Sequence, residues 1–344
     1  MSATIKDVAL LAGVAVSTVS RVVNNSGYAK PETRDRVNAA INELGFSPNG
    51  VARSLSTSRG NQIGVIVSDI TNPYFAHLIQ AISTVLDGTG FGILIATTRN
   101  DLEIERNAIQ MMFDNRVRGL IIAPSLSGKE SNSAHLQWIQ QAGIPTVLLD
   151  GALPELNCDS VLFDNYVGAY DATKLLLTNG HRRIAIIHGP LCYMTERDRL
   201  SGYLAALHSV GITPGQNLQF LADTTDESAI QATMRLIANE KNMPTAVFCC
   251  SNIITIFCFK TLKANNIRVP QDIALIGSDE IDPYGIWAND ITIISQPTDE
   301  LGRMAAHTLL TKIRNGSSKS DTTPSSVILQ PKLIPRGSEV LWTE

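Results

Sequence analysis

The residues that most often carry chemistry are scattered through this 344-residue chain. Its six histidines, at 77, 135, 181, 188, 208 and 307, form no ligand cluster. Its five cysteines are odd in number, lack a CxxC pair and include the neighbours Cys249 and Cys250 in an apolar stretch, which points to buried free thiols. No G-x-G-x-x-G follows a strand, and neither H-E-x-x-H nor G-x-S-x-G occurs. The G-K-E at Gly128 lacks both the earlier glycine and the Ser or Thr of a phosphate loop. No metal, cofactor or catalytic residue is therefore expected. One arrangement does carry chemical meaning, and it is a charge asymmetry. Lys6, Arg21, Lys30, Arg34, Arg36, Arg53 and Arg59 outnumber Asp7, Glu32, Asp35 and Glu43 in residues 1–60, although the whole chain has a formal charge of −4. A small cationic head on a larger acidic body suits a polyanion partner.

The elements that would position these charges follow from pattern. Apolar residues at 44% and charged residues at 17% exclude disorder as the main state, and the length calls for two or three folded units. Thr4 and Asp7 have capping-box spacing and Gly13 can stop the helix they open. V-S-T-V-S-R-V-V from Val16 gives a second short helix, with Val16, Val19, Val22 and Val23 on one face. A third opens at Pro31 and stops at Gly45, with Val37, Ile41 and Leu44 as its buried stripe. Three short helices with a tight turn between the first two fit a helix-turn-helix unit or a plain three-helix bundle. Residues 47–60 are small, polar and basic, as a linker would be.

Beyond Gly60 short apolar runs alternate with helical stretches. The first set starts at Ile63, Gly92, Gly119 and Thr146, and the second at Ser160, Arg183, Thr245 and Ile273. Continuous runs of this kind predict parallel strands covered on both faces, and eight of them imply two doubly wound parallel-sheet lobes with ligand bound between. Met1 to Leu11 does not read as a secretory leader, and Thr245 to Phe259 is too short and too interrupted to span a bilayer. A cytoplasmic protein with no membrane partner is expected.

The segments I-K-D-V-A-x-x-A-G-V, S-T-V-S-R-V-V-N and P-E-T-R-D-R-V-N-A-A-I-N-E-L-G-F-S-P-N closely resemble the lac repressor family of bacterial transcription regulators, which includes the galactose repressors. The likeness continues through N-P-Y-F at Asn72, G-H-R-R-I-A at Gly180, G-P-L at Gly189, R-L-x-G-Y at Arg199, V-P-Q-D-I-A-L-I-G at Val269 and I-S-Q-P at Ile294. It covers essentially the whole chain. The resemblance implies an α-helical helix-turn-helix head, a hinge helix and an α/β body like that of periplasmic sugar-binding proteins. It also implies a homodimer on a palindromic operator, acting as a repressor whose DNA affinity is controlled by effector in the cleft. The chain stops at Glu344 without a heptad tail, so a dimer is expected rather than a tetramer built on a helical bundle.

On that resemblance residues 1–47 are the DNA-binding domain, 48–60 the hinge, and 61–344 the effector-binding and dimerisation body. Its first lobe is placed at about 61–161 and 292–322, its second at about 162–291 and 323–344. Val16, Ser17 and Arg21 match the base-reading positions, and Arg21 can grip a guanine with two hydrogen bonds. Thr4, Thr18 and Asn24 suit phosphates. Arg53 and Leu55 fall in the hinge segment N-G-V-A-R-S-L, where a leucine would wedge into a minor-groove step. Ala15 departs from the family's usual serine, so the second helix loses a cap.

In the cleft, Arg199 and Asp279 fit the gripping of vicinal hydroxyls, unless they form a structural ion pair. By resemblance Asp150, Thr195, Tyr74 and Phe75 join them. Ser251 and Asn252 replace the family's usual Asn-Asp, with Phe257 as added bulk behind the cleft. Asn252 reads first as a helix cap. The alternative is that the lost carboxylate admits a sugar acid or a sugar phosphate alongside neutral sugars. A solute-binding protein or a sugar-processing enzyme on the same doubly wound fold is the rival reading.

Overall fold

A computed structural model of the chain describes residues 3–24, 27–46, 60–213, 215, 218–222, 226–238, 243–279, 290–315 and 324–341. They fall into two compact units, 1–61 and 62–344. In the first, α1 (Ile5–Ala12), α2 (Val16–Asn24) and α3 (Pro31–Leu44) close on a core of Val8, Ala9, Ala12, Val19, Val22, Val37 and Ala40. The capping box is present: Asp7 N donates to Thr4 Oγ1, and Asp7 Oδ2 accepts from Thr4 N at 2.8 Å. Gly13 and Gly45 end α1 and α3 in the left-handed conformation, with φ of 63° and 58°. Val16 does not join the valine face expected of it. It opens α2 at 42% exposure while Val19 and Val22 are buried.

The second unit holds two six-stranded sheets. The first sheet is ordered β2 (Gly92–Thr97), β1 (Gln62–Val67), β3 (Gly119–Ile122), β4 (Thr146–Leu149), β5 (Asp159–Phe163) and β11 (Ser326–Leu329), all parallel. The second repeats the plan with β7 (Gln219–Leu221), β6 (Ile184–His188), β8 (Ala246–Cys249), β9 (Ala274–Ser278), β10 (Thr292–Ser295) and an antiparallel β12 (Lys332–Ile334). In each, strand order reverses once, between β1 and β3 and between β6 and β8, and a doubly wound sheet binds ligand beyond the carboxyl ends at such a reversal.

Helices cover both faces. The first lobe carries α4 (Pro73–Leu86), α5 (Leu102–Asp114), α6 (Ser133–Gln141) and α11 (Thr298–Asn315); the second carries α7 (Asn165–Thr178), α8 (Met194–His208), α9 (Asp226–Ile237) and α10 (Asn252–Ala264). Because the central strands are walled in on both sides, they read as unbroken buried runs such as G-L-I-I and T-V-L-L. Helices α7 and α8 touch so closely at Gly202 that a Cβ there would fall on the Tyr166 carbonyl oxygen. Among the described residues no helix is long and apolar enough to cross a membrane.

The expected lobe boundaries need correction. The Ser160 run, placed with the second set, is β5 of the first sheet. The stretch from 292, given to the first lobe, begins with β10, which pairs with β9 in the second sheet. The stretch from 323, given to the second lobe, contains β11, which pairs with β5 in the first. The chain therefore crosses three times: at Asp164, at Gln296 and Pro297, and at Gln330 and Pro331. A short apolar run has the same side-chain pattern on either sheet, so sequence does not say which edge it extends. Strands β7, β10, β11 and β12 fell outside the eight expected runs because each has only three or four residues, and β7, β11 and β12 are partly exposed edge strands without a continuous buried run.

Candidate functional site

A cavity of about 380 Å³ opens where the carboxyl ends of the two sheets face one another, within the usual ~300–1,000 Å³ of small-molecule clefts. All eight residues expected there line it: Tyr74, Phe75, Asp150, Thr195, Arg199, Ser251, Asn252 and Asp279. Tyr74 and Phe75 project from the first turn of α4, packed edge to face with ring centroids 5.0 Å apart. Asp150 follows β4 and Asp279 follows β9, the equivalent strand of the other sheet. Both sit in the left-handed region, with φ of 57° and 64°, and so do Arg99 and Asn100 in the same wall. Backbone held there by non-glycine residues is uncommon and clusters at functional sites.

Arg199, on α8, is buried and its hydrogens are largely committed. Nε donates to Asn165 Oδ1 (2.7 Å), and Nη1 donates to Glu196 Oε1 (2.9 Å) and to the Cys250 carbonyl. Its ion pair is therefore with Glu196, one helical turn away, not with Asp279. Glu196 Oε2 accepts from Gly189 N at 2.7 Å. Asn165 begins α7 directly after one crossover and Gln296 lies in another, so the centre of the cleft is tied to the segments that join the lobes.

Electrostatics single out the two aspartates. Burial pushes Asp150 up to about 6 against the pull of Arg199. Burial takes Asp279 up to about 7, with the nearby Asp150 charge adding to it. Burial would lower the Arg199 guanidinium, but Glu196, Asp279 and Asp150 hold it further above its ordinary value. Burial, then Asp150 and Asp279, raise the Tyr74 hydroxyl well above its usual value. Among the described residues, four buried side-chain polar atoms lack a hydrogen bond of full geometry: Tyr74 OH, Asp150 Oδ1, Asp279 Oδ1 and Gln296 Oε1, with Tyr74 close enough to Asp150 to interact with it. All four residues line this cavity. Unpaired buried polar atoms are costly, so their convergence marks the place where a ligand completes the bonding.

Other expectations shift in detail. Ser251 caps α10, its Oγ accepting from Ile254 N at 3.3 Å, whereas Asn252 occupies the next position and donates to Asn72 Oδ1 across the cleft. Phe257 packs toward the outer core of the second lobe with Lys260 over its ring, and Ile253 and Ile254 face the cavity instead. The sequence reading gave no role to Glu196, Asn72, Gln296 or Asn165. The spacing of Glu196 and Arg199 on one helix was the available signal for the first; Asn72 and Gln296 lay inside motifs already noted.

In the head, Ser17 and Arg21 are exposed beside Val16 on the first two turns of α2, and Thr18 is half-buried. Thr4 is less free than its expected phosphate role requires: its N–H and its hydroxyl both donate to Asp7 Oδ2. The side chain of Asn24, together with Arg53 and Leu55, lies outside the described residues.

Comparison with known proteins places both units. Residues 4–49 match the bacterial regulatory proteins of the lacI family, and residues 60–336 match the periplasmic binding proteins and sugar binding domain of the LacI family. The HTH-type transcriptional repressor PurR of Klebsiella pneumoniae is 35% identical over 338 residues, covering 98% of this chain and 96% of that protein. The ribose operon repressor of Haemophilus influenzae is 32% identical over 336 residues, 98% of each. The solved structure of the lac repressor dimer bound to operator and the anti-inducer ONPF superposes with a TM-score of 0.84 at 27% identity, covering 99% of this chain and 100% of that one. A helix-turn-helix head, two sheets wound on one plan and a cleft of unpaired polar atoms between them thus coincide with sequence likeness along the full length, and the chain belongs to the lacI family of bacterial regulatory proteins.

Proposed function

We propose that this regulator is a homodimeric repressor that holds a palindromic operator through its heads and responds to a neutral, hydroxyl-rich small molecule bound between its lobes. The observation that carries the effector class is the set of unpartnered acceptors, Asp150 Oδ1, Asp279 Oδ1 and Gln296 Oε1, gathered with the Tyr74 hydroxyl about a guanidinium whose own hydrogens are mostly taken. Such a cavity needs donors from its ligand, and adjacent hydroxyls supply them in the right geometry. Charge selects against anions: among the described lining residues, Asp69, Asp150, Glu196 and Asp279 face Arg99 and Arg199. The lost carboxylate at Asn252, which would favour a sugar acid or sugar phosphate, is offset because that amide is engaged with Asn72. Tyr74 and Phe75 offer an apolar wall for the ring's carbon face.

In the head, Arg21 reads a base and Ser17 and Val16 flank it, while Thr18, Asn24, Arg53 and Leu55 are assigned to backbone and minor-groove contacts. The boundaries proposed are a head to residue 47, a hinge from 48 to 60, and lobes that exchange at the three crossovers. The protein acts in the cytoplasm, where operators are, and turns over no substrate. A thermal-shift and calorimetric panel of neutral sugars, sugar acids and sugar phosphates tests the effector class. Neutral members are expected to raise the melting temperature, with affinity lost in Arg199→Ala. A panel in which only the anions bind would overturn it, and recovery of the sugars unchanged tests the absence of turnover.

A further inference from the structure

Asn252 lies in the first turn of α10 in the second lobe and is 3% exposed. Its Nδ2 donates to Asn72 Oδ1 in the first lobe at 2.7 Å. Both amides have their orientation fixed from outside the pair. Asn72 caps α4, its Oδ1 accepting from Tyr74 N at 3.0 Å, so its oxygen cannot be exchanged for its nitrogen without uncapping the helix. Asn252 Oδ1 accepts from Ile253 N at 2.8 Å, which turns its NH₂ toward Asn72. Each residue also lines the cavity. On the Tyr193 side of the cleft, the Cys192 thiol approaches the Leu126 carbonyl, again across the lobes, at 3.9 Å.

We propose that Asn252 is a positioning residue: its amide, seated on the helix-capping oxygen of Asn72, latches the second lobe onto the first and holds the cleft closed around its effector. This rests on the cleft being the effector site. The latch needs a donor at 252 and an acceptor at 72, because the Asn72 oxygen already serves a backbone N–H and presents only lone pairs. The identity of 252 therefore sets the balance between open and closed lobes, and a ligand selecting the closed state is weakened in proportion as that state is depleted. Asn252 makes no contribution to the unpartnered acceptors that grip the ligand, so its effect is on closure.

The asymmetry of the pair supplies the test. Asn252→Ala removes the donor. Asn72→Asp keeps an oxygen that both caps α4 and accepts from Asn252. Opening is read on the full-length, ligand-free protein by energy transfer between dyes placed on exposed Lys129 of the first lobe and exposed Ser201 of the second. Genetically encoded reactive residues carry the dyes, so the native cysteines stay. Asn252→Ala is expected to shift the population to low transfer and to weaken effector binding by roughly tenfold, the scale of one lost hydrogen bond. Asn72→Asp is expected to match the wild type in transfer. If Asn252→Ala folds poorly, Asn252→Ser, too short to reach Asn72, replaces it. Unchanged transfer in the 252 variants, or opening in Asn72→Asp equal to theirs, overturns the latch. The transfer measurement needs no ligand, so a sugar panel without binders would remove the effector reading while leaving this result to stand or fall alone.

Discussion

Two aspartates show how a residue's chemistry is set by its surroundings. Asp150 and Asp279 are ordinary carboxyls in sequence, yet burial lifts them to about 6 and about 7. Their folded-state values lie above the unfolded one, so the native state binds protons more tightly. Their contribution to stability is full below about pH 4 and is lost as pH rises through 6 to 7. Ligand-free wild type and the double variant Asp150→Asn/Asp279→Asn are therefore expected to melt close together near pH 4.5. Above pH 7 the variant should melt higher, and a gap that stays constant across the range would contradict the assignment. Arg21 is the corresponding residue in the head, exposed on α2 and proposed above as the base reader. Arg21→Ala should flatten base preference at one position in each half-site by about 1–3 kcal/mol, read by competition among duplex variants. A uniform loss over all sequences would make it a phosphate contact.

At the scale of elements, the head depends on its caps. Helix α1 has a complete capping box, but α2 follows Ala15, which offers only its carbonyl, to Thr18 N and Val19 N. Ala15→Ser is expected to raise head stability by about 0.5–2 kcal/mol, measured by thermal melting of the full chain with a probe in residues 1–46. No change would show that the α2 terminus is already satisfied. In the body the decisive elements are the crossovers. Asn165 and Gln296 sit in or beside two of them, so the closure proposed above would turn about residues bonded into or lining the cleft. Small side chains set the helix spacing against which this happens, as Gly202 does between α7 and α8.

For the whole molecule, linkage ties the two ligands together. If effector alters operator affinity by some factor, operator must alter effector affinity by the same factor, whichever sign the coupling has. Titrating effector against free protein and against its operator complex is expected to return equal and reciprocal ratios. Equal effector affinities for the free protein and for its operator complex would mean that the two sites are not coupled. Much of this was legible from sequence. The head's three helices followed from Thr4, Gly13, Pro31 and Gly45, because caps are local chemistry. The central strands followed from unbroken apolar runs, because burial on both faces leaves no polar alternation. The cleft aspartates and Arg199 came through a family likeness. Tertiary structure alone decided the rest. It assigned β10 to the second sheet and β11 to the first, and joined Asn252 to Asn72. Those outcomes depend on which surfaces meet across distances of tens to hundreds of residues, and no local pattern of side chains records that meeting.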